Sequence, residues 1–253
     1  CAGRLMHIRV ASYNIHRAIG MDRRFRLDRI MRILGQISAD VVLLQEVDSG
    51  VPRSRELDLA QELARELGYP HYALGLNVAL RKGRYGNATL SLFPILSERN
   101  IDLTIDAHKR RGCLHTRIGI ERRPGDSSLL EVFNLHLGLS GRERMRQVGL
   151  LVRSRKFLDL DPACACLVGG DFNDWRGLLP PVFTEILGFG CATNRRGDAR
   201  RPIRTYPAFS PTGGLDKIFY RGPISPTGAR ACRLAVSRLA SDHRPVVVDL
   251  DLS

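Results

Sequence analysis

A chain of 253 residues, 43% hydrophobic and 26% charged, can bury a substantial core, and its length fits one large α/β domain or two small ones. Its formal charge of +13 comes from 39 basic and 26 acidic residues, and only Lys82, Lys109, Lys156 and Lys217 among the basic ones are lysines. Such a charge is permissive for an anionic partner and identifies none. No stretch is long and apolar enough to form a transmembrane segment, and no Pro/Gly/Ser linker or charge block divides the chain, so residues 6–253 are expected to fold as a single domain.

The elements follow in chain order. Ile8 to Ile15 alternates apolar and polar residues and predicts a strand; Leu27 to Ile37 carries Leu27, Ile30, Met31 and Leu34 at helical spacing. Val41 to Leu44 predicts a buried strand stopping at Gln45-Glu46, and a helix near Glu56 to Leu67 is closed by Gly68 and Pro70. Tyr72 to Leu76, Ala88 to Phe93, Ile95 to Leu103 and Leu114 to Ile120 predict consecutive strands. The second half repeats the plan: a strand from Leu130 to Leu137, a long helix from Gly141 to Leu158, and a strand from Ala165 to Val168. A helix over Pro181 to Leu187 and strands at Leu215 to Tyr220, Arg233 to Val236 and Pro245 to Leu250 complete the set. Two halves that each open strand, helix, strand predict an α/β fold of two sheets packed face to face with helices outside.

Six cysteines, at positions 1, 113, 164, 166, 191 and 232, have neither disulfide-framework nor zinc-site spacing, so a reducing, cytoplasmic location is expected. Residues 1–5 precede Met6, a natural start, and read as a cloning or processing remnant; the leading cysteine keeps a lipoprotein or peripheral membrane association open.

The most informative segment is Val168-Gly169-Gly170-Asp171-Phe172-Asn173-Asp174, which places a carboxylate and an amide two residues apart beyond an apolar strand. At the carboxyl end of a strand, where ligands of α/β sheets sit, a proton acceptor beside an amide suits hydrolysis of a phosphate ester. An Asx turn would use the same residues structurally. Similar polar strand ends recur at Ser12-Tyr13-Asn14-Ile15-His16, Leu43-Leu44-Gln45-Glu46-Val47-Asp48, Phe133-Asn134-Leu135-His136 and Ser241-Asp242-His243, with Leu215-Asp216-Lys217 as a fifth.

In this order the clusters resemble the endonuclease/exonuclease/phosphatase superfamily, small bacterial members in particular, from Asn14 to His243. The resemblance implies a four-layer α/β/β/α sandwich of two mixed sheets flanked by helices. It implies a Mg²⁺ ion, with Mn²⁺ as a substitute, held by Glu46 with Asn14 close by and Asp242 supporting the metal region; hard oxygen donors suit either ion. Asp171 corresponds to the residue that orients and deprotonates the attacking water, Asn173 to one that holds that water or a phosphate oxygen. His243 corresponds to the histidine on the scissile phosphate, Asp216 to the carboxylate that fixes it, and His136 to a second phosphate-contacting histidine that can serve as an acid for the leaving group. Arg111 would add a guanidinium to the phosphate site, and Asn87 a contact or a turn. His16 stands where abasic-site endonucleases carry an acidic metal ligand.

A Mg²⁺-dependent phosphodiesterase is therefore expected, cutting a P–O bond by in-line attack of water. Its positive charge favours a nucleic acid, and so a nuclease acting as endonuclease or exonuclease, over a phospholipid, sphingomyelin-type or inositol-phosphate substrate. Trp175 is the aromatic candidate for stacking a base. A non-catalytic polyanion-binding protein is the alternative of another class.

Overall fold

A computed structural model of the chain describes residues 5–123, 126–161, 163–195 and 198–253; residues 1–4, most of the segment read as a remnant, lie outside them. The strands are β1 (Met6–Asn14), β2 (Val41–Ser49), β3 (His71–Ala79), β4 (Arg84–Ser91), β5 (Ile95–Asp102), β6 (Gly112–Arg123), β7 (Asp126–His136) and β8 (Ala165–Asp171). They continue with β9 (Gly190–Cys191), β10 (Asn194–Arg195), β11 (Asp198–Pro202), β12 (Asp216–Arg221), β13 (Ile224–Ala231) and β14 (Val246–Leu252). Two six-stranded mixed sheets result, ordered β13-β14-β1-β2-β4-β3 and β5-β6-β7-β8-β12-β9, with β10 and β11 forming a separate pair. Each large sheet has one parallel pair at its centre, β1 with β2 and β7 with β8, joined by a helical crossover.

Three apolar layers hold these elements together. Between the sheets lie Val10, Leu43, Val132, Leu167, Ile218 and Val248. Outside the first sheet, Tyr13, Leu44 and Ala88 meet Ile30, Ile33 and Leu34 of α1 (Leu27–Ile37) and Leu63 of α2 (Leu59–Leu67). Outside the second, Phe133, Val168 and Phe219 meet Val148 and Leu151 of α3 (Gly141–Arg153). This is the four-layer sandwich that the paired halves predict, and burial of each large side chain contributes roughly 1.5–3 kcal/mol.

Several predicted boundaries move for local reasons. The helix expected from Glu56 begins at Leu59, because Glu56 is left-handed at φ 61° and the Asp58 carboxylate caps the first turn by accepting from Gln61 N at 3.0 Å. The single helix expected over Gly141 to Leu158 breaks at Ser154, whose backbone is extended and whose hydroxyl donates to Leu151 O at 2.6 Å; a short turn, Arg155–Leu158, follows. Arg233 to Val236 is not a strand. The sheet edge there is β13, hidden from alternation rules by Pro226 and Gly228, where its pairing with β14 shifts register.

Alternation along the central strands prepares the site. On the face between the sheets, β1 runs Val10, Ser12, Asn14; β2 runs Leu43, Gln45; β7 runs Val132, Asn134, His136; β8 runs Leu167, Gly169, Asp171. β12, antiparallel to β8, enters the same face with Asp216 before Ile218. The apolar layer thus turns polar at one end, through residues buried in both sheets. Gly170 sits there at φ 139°, and a Cβ on it would come within 1.9 Å of Leu135 O. Gly170→Ala is therefore expected to lower stability by about 3 kcal/mol or more, because strained backbone and a main-chain clash add. Urea titration of the purified variant checks this, and a midpoint equal to that of the parent would contradict it.

Candidate active site

The strand ends are stitched across the two sheets by side-chain hydrogen bonds. Asn14 Nδ2 donates to Asp171 Oδ2 at 3.0 Å, and Gln45 Nε2 donates to Asn134 Oδ1 at 2.8 Å. β2 does not stop at Gln45-Glu46, as expected, but runs on through a bulge between Leu44 and Val47. The Asn134 amide bridges to Leu44 O at 3.1 Å and Ala88 O at 2.9 Å. The bulge puts Glu46 in the left-handed region at φ 56°, and Asn173 is left-handed too, at φ 50°. Left-handed non-glycine residues cost roughly 1–3 kcal/mol each and cluster at functional sites.

At the centre, Asp171, Asp216 and His243 bring ligand atoms within 4.8 Å of one another. Asp216 Oδ2 accepts from His243 Nδ1 at 2.9 Å and also from the Thr205 hydroxyl. Asp171 Oδ2 faces His136 Nε2 at 3.5 Å and His243 Nε2 at 3.6 Å, while its Oδ1 accepts from Asn173 N at 2.9 Å. Asn173 in turn donates through Nδ2 to Leu137 O at 2.9 Å. The Asx turn is therefore real, yet it leaves one edge of Asp171 turned to two histidines.

Electrostatics separate these buried groups. Burial and the Asp216 charge raise the Asp171 carboxyl to about 6, against the pull of His243 and the hydrogen bond from Asn14. For His243, burial opposes the charge, but Asp216 and Asp171 overcome it and raise the imidazole to about 10. His136 goes the other way: burial, Arg111 and His243 hold it well below the usual histidine range. One histidine is thus a cation and the other neutral at physiological pH.

The remaining sequence candidates take their places around this centre. Arg111 is buried, its Nε has no hydrogen-bond partner, and it lines a recess with Asn87 and His136. Asn87 uses its amide nitrogen on Gly112 O and Asn134 O, both at 3.1 Å, so it braces this recess. Trp175 is 53% exposed and meets Tyr206 edge-on at 5.0 Å, and Tyr206 lies 4.9 Å from the His243 ring. The Glu46 carboxylate lies 3.4 Å from Arg17 Nε.

Asn14 is opposite Gln45 in the β1–β2 register, and the Ser241 hydroxyl donates to Asn14 O at 2.7 Å. Glu46, Asn14 and Asp242 therefore sit on neighbouring segments. They offer only carboxylate and amide oxygens, the donor set that a hard divalent cation takes. Arg17 and Thr205 lie in no motif and carry no local signal; Gln45 and Asn134 lie within the motifs, but their cross-sheet bond depends on the bulge.

A model of the Endonuclease/Exonuclease/phosphatase family matches residues 11–243. The chain belongs to that family. It is 31% identical over 262 residues to YbhP of Escherichia coli K12, covering 96% of each protein. Its fold superposes on an endonuclease/exonuclease/phosphatase from Bacteroides vulgatus with a TM-score of 0.76, 20% identity and coverage of 98% and 100%. It also superposes on ANGEL2, a 2′,3′-cyclic phosphatase, with a TM-score of 0.72, 15% identity and coverage of 98% and 96%. Membership in the endonuclease/exonuclease/phosphatase family points to hydrolysis of phosphoric esters. No helix among the described residues is long and apolar enough to cross a membrane.

Proposed function

We propose that the protein is a Mg²⁺-dependent phosphodiesterase in which Asp171 activates water for in-line attack on phosphorus. The observation that carries this reading is the convergence of Asp171, His243, Asp216 and His136 at the polar end of the inter-sheet layer. A carboxyl raised to about 6 is mostly ionised at neutral pH and remains a competent base, the compromise general-base catalysis favours. Asn173 holds the water or a non-bridging oxygen. His243, charged and fixed by Asp216, hydrogen-bonds a phosphoryl oxygen through Nε2 and stabilises the charge gathering there. His136, being neutral, donates a hydrogen bond to the phosphate, so His243 is the better source of a proton for the leaving oxygen than the His136 acid the resemblance implied. Arg111 supplies a guanidinium to the same phosphate.

Glu46, with Asn14 and Asp242 beside it, would hold the Mg²⁺ or Mn²⁺, which when bound neutralises charge on the phosphoryl oxygens. Glu46→Gln is expected to raise the half-activating Mg²⁺ concentration at least about tenfold, a shift typical of losing one carboxylate ligand's contribution. Metal titration of bis(p-nitrophenyl) phosphate hydrolysis, with EDTA as the zero point, checks it; an unchanged Mg²⁺ dependence removes Glu46 from the site.

Nucleic acid is the favoured substrate because the chain carries a charge of +13. ANGEL2, described as a 2′,3′-cyclic phosphatase and crystallised with adenosine-2′,3′-vanadate, in which vanadate stands in for the phosphate, supports a nucleotide substrate. A panel of plasmid, single-stranded DNA, RNA, sphingomyelin, glycerophospholipid and inositol phosphate tests the choice, and preference for a lipid over every polynucleotide would reverse it. Binding to these substrates without turnover of any would favour a polyanion-binding protein.

A further inference from the structure

Beyond the catalytic cluster, the β13 edge of the first sheet borders a cleft of about 940 Å³. Ile37, Ile203 and Val247 line it with apolar side chains, and Arg204, Arg230, Arg233 and Arg244 are also among its lining residues. Arg230 is matched by Asp249 at 2.7 Å. No carboxylate among the described residues pairs with Arg204, Arg233 or Arg244. Burial and the neighbouring charges of Arg238 and Arg233 hold the Arg244 guanidinium below its ordinary pKa. Like charges gathered in a concave surface repel one another, and an anion entering between them relieves that cost.

Arg244 directly follows His243, and its backbone N donates to Thr205 O at 2.9 Å, while the Thr205 hydroxyl bonds Asp216. The volume is that of a small-ligand pocket, which excludes a duplex, and the concavity excludes a flat bilayer surface. None of its lining residues is aromatic, so bases have nothing to stack on and phosphates are what the guanidinium forks can grip.

We propose that this cleft is a track for the phosphate backbone of a single-stranded nucleic acid, held by Arg204, Arg233 and Arg244 without regard to sequence. Placing the scissile phosphate of that strand at His243 rests on the phosphodiesterase reading; binding of the strand in the cleft does not.

Fluorescence anisotropy with a labelled oligothymidylate in EDTA reads binding apart from turnover. The double variant Arg204→Ala with Arg233→Ala removes two exposed side chains and is expected to weaken binding about tenfold. The slope of log K against log salt should become shallower by about 1.4, at roughly 0.7 per phosphate contact on a single strand. A double variant on the short turn after α3, Arg155→Ala with Lys156→Ala, removes the same charge and should bind as the parent does. Equal losses in both variants, no loss in the first, or a loss towards anionic phosphatidylserine vesicles without one towards the oligonucleotide would each overturn the track. Hydrolysis of bis(p-nitrophenyl) phosphate by the Arg204/Arg233 variant should match the parent. If the parent shows no such hydrolysis while the binding difference stands, the phosphodiesterase reading fails and the cleft survives.

Discussion

Asp171→Asn is expected to lower kcat for a phosphodiester about a thousandfold with Mg²⁺ present, within the 10²–10⁴ range for loss of a general base. The amide is close in shape to the carboxylate, and one oxygen remains to accept from Asn14 or Asn173 N, so the fold should survive. What disappears is the proton acceptor and the negative charge facing both histidines. KM should change little, because Arg111, His136 and His243 still meet the phosphate. Steady-state kinetics alongside the thermal midpoint separate the outcomes. Turnover within threefold of the parent would show that Asp171 is only the Asx-turn residue that its bond to Asn173 N also describes.

A stability effect of comparable weight is expected away from the site. Glu131 on β7 is buried and accepts from His115 Nε2 at 2.6 Å and Arg117 Nε at 2.7 Å, across the β6–β7 pairing. Burial pushes its carboxyl up, but the bonds from His115 and Arg117 win and hold it below the ordinary carboxylate value. Glu131→Ala should cost about 4 kcal/mol at pH 7, as breaking one side of a buried, bonded pair usually does. Because the folded pKa is depressed, the stabilisation is complete above the unfolded value of about 4.3 and is lost as pH falls through the folded one. The gap in urea midpoint between parent and variant should therefore narrow below about pH 4 and stay constant from pH 6 to 8. A gap that is absent at pH 7, or that widens on acidification, would contradict this.

How far the chain discloses itself depends on whether a signal is local. Helix α1 falls where its spacing predicts, Leu27–Ile37, because a helix with one buried stripe is written in consecutive residues. The polar strand ends are equally visible, since side chains alternate and a buried strand that turns polar has few other reasons to do so. The bulge that turns Glu46 left-handed within β2 depends on pairing with β4, and the Glu46–Arg17 contact joins segments that no motif links. The support of Asp216 by Thr205 likewise depends on a loop whose course the sequence does not spell out. β13 escaped because Pro226 and Gly228 argue against a strand, and only an edge position tolerates them. The opposite charge states of His243 and His136 come from tertiary surroundings: burial, with Arg111 and His243 nearby, lowers His136, whereas Asp216 and Asp171 outweigh burial at His243.

Hydrolysis of bis(p-nitrophenyl) phosphate with Mg²⁺ in ¹⁸O-labelled water reports directly on which bond the protein breaks. Attack of an Asp171-activated water on phosphorus places one ¹⁸O in the phosphate monoester and none in the released phenol, and EDTA stops the reaction. Label recovered in the phenol, or turnover indifferent to EDTA, would contradict metal-assisted attack at phosphorus.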